Sequence, residues 1–409
     1  MPVSKEIEFI TRPVYPVPSQ PVGDEFSTAT IARVRRFHAT FPQYKPTPLV
    51  SLAGLAAEIG VERVWVKDES KRFDLNSFKV LGGSYAIARY LAGLAGIGGD
   101  EVSFERLKEP SIGESTGAIT FVTATDGNHG RSVAWSAREL GKPAVVFVPA
   151  GTSASRISNI EKEGAEVHVT DGNYDDTIRS ARRYAEAHNG VIVQDTAWEG
   201  YRDIPLWIMQ GYAVLMLEAI EQMEADGGAA PTHVFLQAGV GSFAGGAAGL
   251  IASHYGAGRP CVAVVEPDSA GCYYASVAAG DGEPRDIGGE MPSIMAGLAC
   301  GEPNRIAWPI LRDHADLYFR VSNAIAASGM RALAHPRGND APIVAGESAA
   351  AGLGTLLAAI HDPEQAGIRQ ELRLTGKSRV LIVSTEGDTD PDHYGRIIKD
   401  GLYPATWER

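Results

Sequence analysis

A series of short apolar, β-branched runs recurs along the chain, and most of the stretches between them carry helical periodicity. The runs are RVWVKDE (63–69), ITFVTAT (119–125), AVVFVPA (144–150), AEVHVTD (165–171), GVIVQD (190–195), HVFLQAG (233–239), CVAVVEP (261–267), LYFRVS (317–322) and RVLIVST (379–385). Most are continuously apolar rather than alternating, the pattern of parallel strands covered on both faces. GRSVAWSAREL, SRISNIEKEG, IRSARRYAEAH and IPLWIMQGYAVLMLEAIEQM read as the covering helices. This alternation predicts an open, doubly wound α/β architecture. Residues 1–50, rich in proline and aromatics, read as an extended arm with a short helix near STATIARVRRFHATF. Two glycine-rich stretches, GLAGIGGDEVSFERLKEPSIGEST and AAGDGEPRDIGGEMPSIMAG, break the rhythm and read as loops or lids.

A length of 409 residues favours two or three domains with a sizeable core. The net charge of −13 is spread along the chain and argues against nucleic acid or an anionic membrane as partner. No uninterrupted apolar run is long enough to span a bilayer, and MPVSKEIEFITRPVYPVPSQPV has no apolar signal core. Three cysteines, none in a CxxC and none with zinc spacing to histidine, indicate neither a disulfide scaffold nor a metal site. A cytoplasmic setting with reduced thiols is the expectation. A bridge between Cys272 and Cys300, which bracket the second glycine-rich stretch, is the less favoured alternative.

In such sheets ligands bind beyond the carboxyl ends of the strands. Three strand ends there carry chemistry. TATDGNHG (123–130) offers a tight turn and a helix start whose N–H groups can meet an anion; an Asp/Asn helix cap is the bland alternative. QAGVGSFAGGAAGL (237–250) can close its backbone on a phosphate. The same stretch also matches the dinucleotide pattern G-x-G-x-x-A at Gly239, Gly241 and Ala244, with Glu266 placed to meet a ribose. A nicotinamide oxidoreductase is therefore a rival reading. VSTEGDTD (383–390) brings the hydroxyls of Ser384 and Thr385, or simply a polar turn. Finally, LNSFKVLGG (75–83) sets a single cation, Lys79, among apolar and small residues. It is either a surface lysine or an amine shielded for Schiff-base chemistry. Taken together, an amine, an Asn-bearing turn, a phosphate cradle and a neutral hydroxyl are what pyridoxal 5′-phosphate (PLP) requires.

With NSFKVLGG, DGNHG and GVGSFAGG in that order, the chain resembles the tryptophan synthase β-like, fold type II PLP enzymes over about residues 45–400. TATDGNHGRSVAWSA, VQDTAWEGY, IPLWIMQGY and STEGDTDP resemble, more closely, the diaminopropionate ammonia-lyase branch of that superfamily. The resemblance implies two open, twisted, mostly parallel sheets covered by helices, with the cofactor between a large domain (1–84 and 200–409) and a small one (85–199). It implies that Lys79 binds the cofactor covalently and serves as a base, with Phe78 beside it. Asn128 would meet the phenolic oxygen, and Gly239, Val240, Gly241, Ser242 and Phe243 the phosphate. Thr385 or Ser384 would face the pyridine nitrogen, a neutral partner that suits prompt loss of a leaving group. A small amino-acid substrate and a homodimer are implied as well.

Dehydratases of this superfamily usually carry serine where this chain has Asp126. A carboxylate there would repel a substrate carboxylate by ~4 kcal/mol at 4 Å and an effective dielectric of 20. Asp126 therefore meets a cation, points elsewhere, or acts as a second base. Asp195, ending VIVQD, is a further catalytic candidate, or else a helix cap. The expected reaction is β-elimination of 2,3-diaminopropionate, in both D and L forms, to pyruvate and two ammonia. The alternatives are a serine/threonine dehydratase-like lyase, the nicotinamide oxidoreductase, and a silent relative that senses PLP or an amino acid.

Overall fold

The apolar runs become the strands of two sheets. A computed structural model of the chain describes residues 6–16, 19–125, 127–172 and 174–408. Its strands are β1 (Ile7–Thr11), β2 (Leu49–Ser51), β3 (Arg63–Asp68), β4 (Phe121–Ala124), β5 (Ala144–Pro149), β6 (Glu166–Thr170), β7 (Val191–Ile192), β8 (His233–Gln237), β9 (Cys261–Pro267), β10 (Leu317–Val321) and β11 (Arg379–Ser384). A seven-stranded sheet runs β1-β10-β9-β8-β11-β3-β2, and a four-stranded sheet runs β6-β5-β4-β7. All pairings are parallel except the two at the edges of the larger sheet, β1 with β10 and β2 with β3.

Parallel strands covered on both faces explain the unbroken apolar runs. Successive side chains leave a strand on opposite faces. Val234 and Leu236 of β8, Val262 and Val264 of β9, and Leu381 and Val383 of β11 enter one core layer. Their neighbours Phe235, Ala263, Val265, Val380 and Ile382 enter the other. The first layer is closed by helices Lys79–Leu94, Asp203–Ala225 and Ser242–Tyr255; the second by Asn323–Ala334 and Glu347–His361.

Four expectations need correction. The first fifty residues are not merely an arm, because β1 and β2 close opposite edges of the large sheet; the expected short helix is Thr28–His38. β7 is reduced to two residues, and Asp195 lies in the loop after it. The first glycine-rich stretch holds short helices, Phe104–Leu107 and Pro110–Thr116, with Phe104 and Leu107 buried. Helix Asp203–Ala225 is long and apolar enough to cross a membrane, but most of it is buried inside the protein, where it forms the core helix.

The four-stranded sheet is an excursion between two helices that pack on each other, Lys79–Leu94 and Asp203–Ala225. Their close approach accounts for the glycines after Lys79. A Cβ at Gly82 would stand 2.4 Å from the Tyr212 ring, and one at Gly211 would stand 2.3 Å from the Leu81 carbonyl oxygen. The turn from β3 to Lys79 is anchored by a fully buried charge network. Arg72 donates to Glu69 and Glu218, and Lys67 donates to Glu218 at 2.8 Å. The same turn holds Phe73, Asp74 and Asn76 at φ of 52°, 57° and 61°, a region costly for side-chain-bearing residues.

Candidate active site

Five strand ends bring most of the predicted residues to one cavity. The segment after β3 supplies Phe78 and Lys79, and the turn after β4 supplies Asn128 and His129. The loop after β7 supplies Asp195, the turn after β8 Gly239 to Phe243, and the end of β11 Thr385 and Glu386.

Lys79 opens helix Lys79–Leu94, and its side chain is 20% exposed. Its Nζ donates to Asp195 Oδ2 at 2.6 Å and lies 5.3 Å and 5.5 Å from the ring centres of Tyr212 and Phe78. The surface-lysine reading is thereby set aside. Asp195 is buried, and the Tyr212 hydroxyl donates to it at 3.4 Å. Burial acts to raise its pKa, but the Lys79 ammonium and then His129 outweigh burial and hold it at about 2. His129 Nδ1 stands 3.9 Å away, while Nε2 lies 2.9 Å from the Val193 carbonyl. These are the partners of a site carboxylate rather than of a helix cap.

Beside Asp195 lies the glycine turn. Gly241 has φ +90°, and a Cβ there would stand 2.0 Å from the Tyr273 hydroxyl, which donates to the Val240 carbonyl at 2.9 Å. Helix Ser242–Tyr255 begins directly after it, with no side chain capping its N-terminus. The N–H groups of an uncapped first turn at the cavity suit an anion. Ser242 Oγ donates to the Asp195 carbonyl and accepts from Asn304 Nδ2, the latter at 2.6 Å. Phe243 and Phe78 pack with ring centres 5.0 Å apart.

On the third side, Asn128 begins helix Asn128–Glu139, and its Nδ2 donates to Glu386. The turn before it is held by Thr125 Oγ1, which accepts from Gly127 N and Gly130 N at 2.9 Å and 3.0 Å. Asn128 is therefore not the cap of its own helix. Asp126 lies outside the described residues. Of the two hydroxyls after β11, Thr385 lines the cavity, whereas the fully buried Ser384 does not.

Two buried polar atoms test whether PLP fits. Gln237 donates its Nε2 to the carbonyls of Ala349 and Val383, at 2.7 Å and 2.8 Å, which leaves Oε1 without a partner. Ser348 Oγ is likewise unpartnered, and both residues line the cavity. These orphaned polar atoms, beside an uncapped helix start, suit a polar ligand that carries an anionic group. The ribose-binding role considered for Glu266 is overturned. Its carboxylate is fully buried and accepts from Tyr273 N and Tyr274 N at 2.8 Å and 2.7 Å. Burial pushes its pKa up to about 8. Cys272 and Cys300 are free, buried thiols near Gly239, so the bridge considered between them is not formed.

Sequence reasoning missed His129, Tyr212, Asn304 and Glu386. His129, Tyr212 and Glu386 sat inside quoted motifs. Asn304 gave no local signal, because only the fold brings it to Ser242.

An amine at the mouth of a neutral, anion-ready cradle defines a PLP enzyme. A family model described as pyridoxal-phosphate dependent enzyme matches residues 40–386. The chain is 49% identical over 378 residues to diaminopropionate ammonia-lyase of Escherichia coli K12, covering 92% of this chain and 93% of that one. It superposes on the crystal structure of the Escherichia coli enzyme in complex with D-serine with a TM-score of 0.91 and 45% identity, covering 97% of this chain and 98% of the other. A second structure of that enzyme, in complex with an aminoacrylate-PLP azomethine reaction intermediate, gives 0.89 and 44%, covering 98% of this chain and 99% of the other. The chain belongs to the pyridoxal-phosphate dependent enzymes and, within them, to the diaminopropionate ammonia-lyase family.

Proposed function

We propose that this chain eliminates ammonia from 2,3-diaminopropionate, in both D and L forms, giving pyruvate and two ammonia with the uptake of one water. The observation that carries this reading is Lys79 Nζ held by buried Asp195 in the cavity that the Gly239–Phe243 turn also lines. When bound, PLP draws electrons from the substrate's Cα, so that the Cα proton and then a β-substituent can leave.

The residues then divide the work. Backbone N–H groups from Gly239 to Phe243 would hold the phosphate, and Asn128 the phenolic oxygen. Thr385 would donate its hydroxyl to the ring nitrogen and leave it unprotonated. Phe78 and Phe243 shield one side of the site from water. Lys79 would hold the cofactor covalently, and its amine would serve as the base for the Cα proton on its own face. Asp195, ionised at neutral pH, would then be left to meet the substrate's β-ammonium and guide it out as ammonia. Asp126, on the loop that precedes Asn128, would take the Cα proton of the D form from the opposite face. A base placed in this way contributes typically ~10²–10⁴-fold.

We extend the proposal to a cytoplasmic homodimer, with the site between residues 85–199 and the rest of the chain. The D-serine held by the Escherichia coli relative favours a second reading, in which hydroxyl substrates are eliminated too. The test is pyruvate and ammonia release from both enantiomers of diaminopropionate, serine and threonine. Two ammonia per pyruvate from diaminopropionate, at the highest kcat/KM of the panel, supports the proposal. Serine or threonine turned over faster replaces it with a dehydratase. No turnover from any of them leaves a silent relative.

A further inference from the structure

Glu386 is a carboxylate that the reaction above does not use, although it lines the cofactor cavity and is only 6% exposed. Its backbone is fixed on several sides. It bridges Ser77, which lies two residues before Lys79. Its carbonyl accepts from Gly346 N at 3.0 Å, and the next residue's N–H donates to the Asn76 carbonyl at 3.0 Å. The side chain reaches the cavity past Gly346. A Cβ at Gly346 would crowd Glu386 Cγ at 3.1 Å and Oε1 at 3.2 Å. Along that path Glu386 Oε2 receives the Asn128 amide.

An ionised carboxylate accepts hydrogen bonds and cannot donate them. It therefore fixes which end of the Asn128 amide is which, with Nδ2 toward Glu386 and the second N–H of that nitrogen free to serve the cavity. An asparagine without such a partner can turn its carbonyl inward instead, and a carbonyl repels an anionic oxygen. We infer that Glu386 is a positioning residue, acting through Asn128, which sets the amide N–H toward the phenolic oxygen of PLP and so keeps that oxygen in its anionic form. The inference rests on the reading that Asn128 faces that oxygen. The other charged groups at the cavity, Lys79 and Asp195, are paired with each other.

The readout is the absorbance of bound PLP in the absence of substrate. A donor to the oxygen favours the form in which the proton sits on the nitrogen joining PLP to the lysine, which absorbs at longer wavelength. Losing the donor moves the proton to the oxygen and the absorbance to shorter wavelength. Glu386→Gln keeps the size but can itself donate, so it permits the amide to turn. We expect the ratio of long- to short-wavelength absorbance to fall by on the order of tenfold, as for loss of a hydrogen bond to a charged group. Glu386→Ala should do the same if the glutamine variant folds poorly. Asn128→Ala should match it, and the double variant Asn128→Ala/Glu386→Gln should go no further. An unchanged ratio in both Glu386 variants, with Asn128→Ala shifted, overturns the inference alone, even if thermal stability drops. An unchanged ratio in Asn128→Ala as well removes the reading of Asn128 on which it rests.

Discussion

Replacing Gly241 by alanine should cost the apoprotein about 2–5 kcal/mol and empty the phosphate cradle. The magnitude has two parts. At φ +90° any side-chain-bearing residue is strained, by roughly 1–2 kcal/mol. The new Cβ would also stand 2.0 Å from the Tyr273 hydroxyl and 2.4 Å from the ring carbon bearing it, so the whole phenol must retreat. Tyr273 is fully buried, and its hydroxyl donates to the Val240 carbonyl. Breaking that bond leaves buried polar groups unmet, at roughly 1–3 kcal/mol. A protein of ordinary stability, about 5–15 kcal/mol, survives this loss, so the variant should still fold. Urea unfolding of apoprotein measures the cost, and PLP titration followed by fluorescence measures the cradle. Gly280→Ala is the control. It too has positive φ, 72°, but nothing lies within 4 Å of its added Cβ, so it carries the backbone strain alone. Tyr273→Phe in the Gly241→Ala background should recover only part of the loss, because the ring carbon still collides. An equal cost for Gly241→Ala and Gly280→Ala would refute the packing argument. Unchanged PLP affinity would show that the phosphate sits elsewhere.

Lys79→Ala should abolish both the lysine-linked PLP absorbance and pyruvate formation; borohydride trapping of PLP on another lysine would reject the assignment. Asp126→Asn should lower kcat on D-diaminopropionate by ~10²–10⁴-fold and on the L form far less; equal losses on both would leave no second base. Asp195 has its pKa depressed from 3.8 to about 2, so in the apoprotein it stabilises above pH ~4 and that stability is lost as pH falls toward ~2. The unfolding free energies of wild type and Asp195→Asn should accordingly converge by roughly 2 kcal/mol between about pH 5 and pH 2, and a gap independent of pH would sink the argument. Glu218→Gln breaks a buried network that includes both Lys67 and Arg72 and should cost about 3–5 kcal/mol in urea unfolding; a loss below about 1 kcal/mol would mean that the two cations find other partners.

What could be read from the sequence follows from how local its cause was. β8, β9 and β11 were plain, because burial on both faces demands an unbroken apolar run. β1 and β2 were hidden, because an edge strand needs only one neighbour and can be short, polar and close to proline. Lys79, Asn128 and the Gly239–Phe243 turn were legible as motifs, since backbone geometry dictates their glycines and their order. Asp195 was ambiguous: a carboxylate after a strand caps helices as readily as it pairs with an amine, and only a residue 116 positions away decides. Tyr212 closes the quoted stretch IPLWIMQGY, but only the fold brings it to Asp195, and Asn304 lies in loop text like any other. Glu386 stood in a quoted motif, but its meaning depends on Asn128, 258 positions earlier.

The place of β11 in the large sheet has a consequence for how the chain is made. β11 is the last strand to be synthesised, yet it lies between β8 and β3 and joins them. Until residues 379–384 leave the ribosome, the large sheet exists only as two fragments, each with an unpaired inner edge of buried, apolar strand. The four-stranded sheet, complete by residue 192, is under no such delay. A nascent chain should therefore carry one finished sheet and two sticky half-sheets for most of its synthesis, the condition in which strand edges recruit chaperones or each other. A nonsense codon just before Arg379 would remove little of the chain's length but would leave the large sheet without the strand that joins β8 to β3.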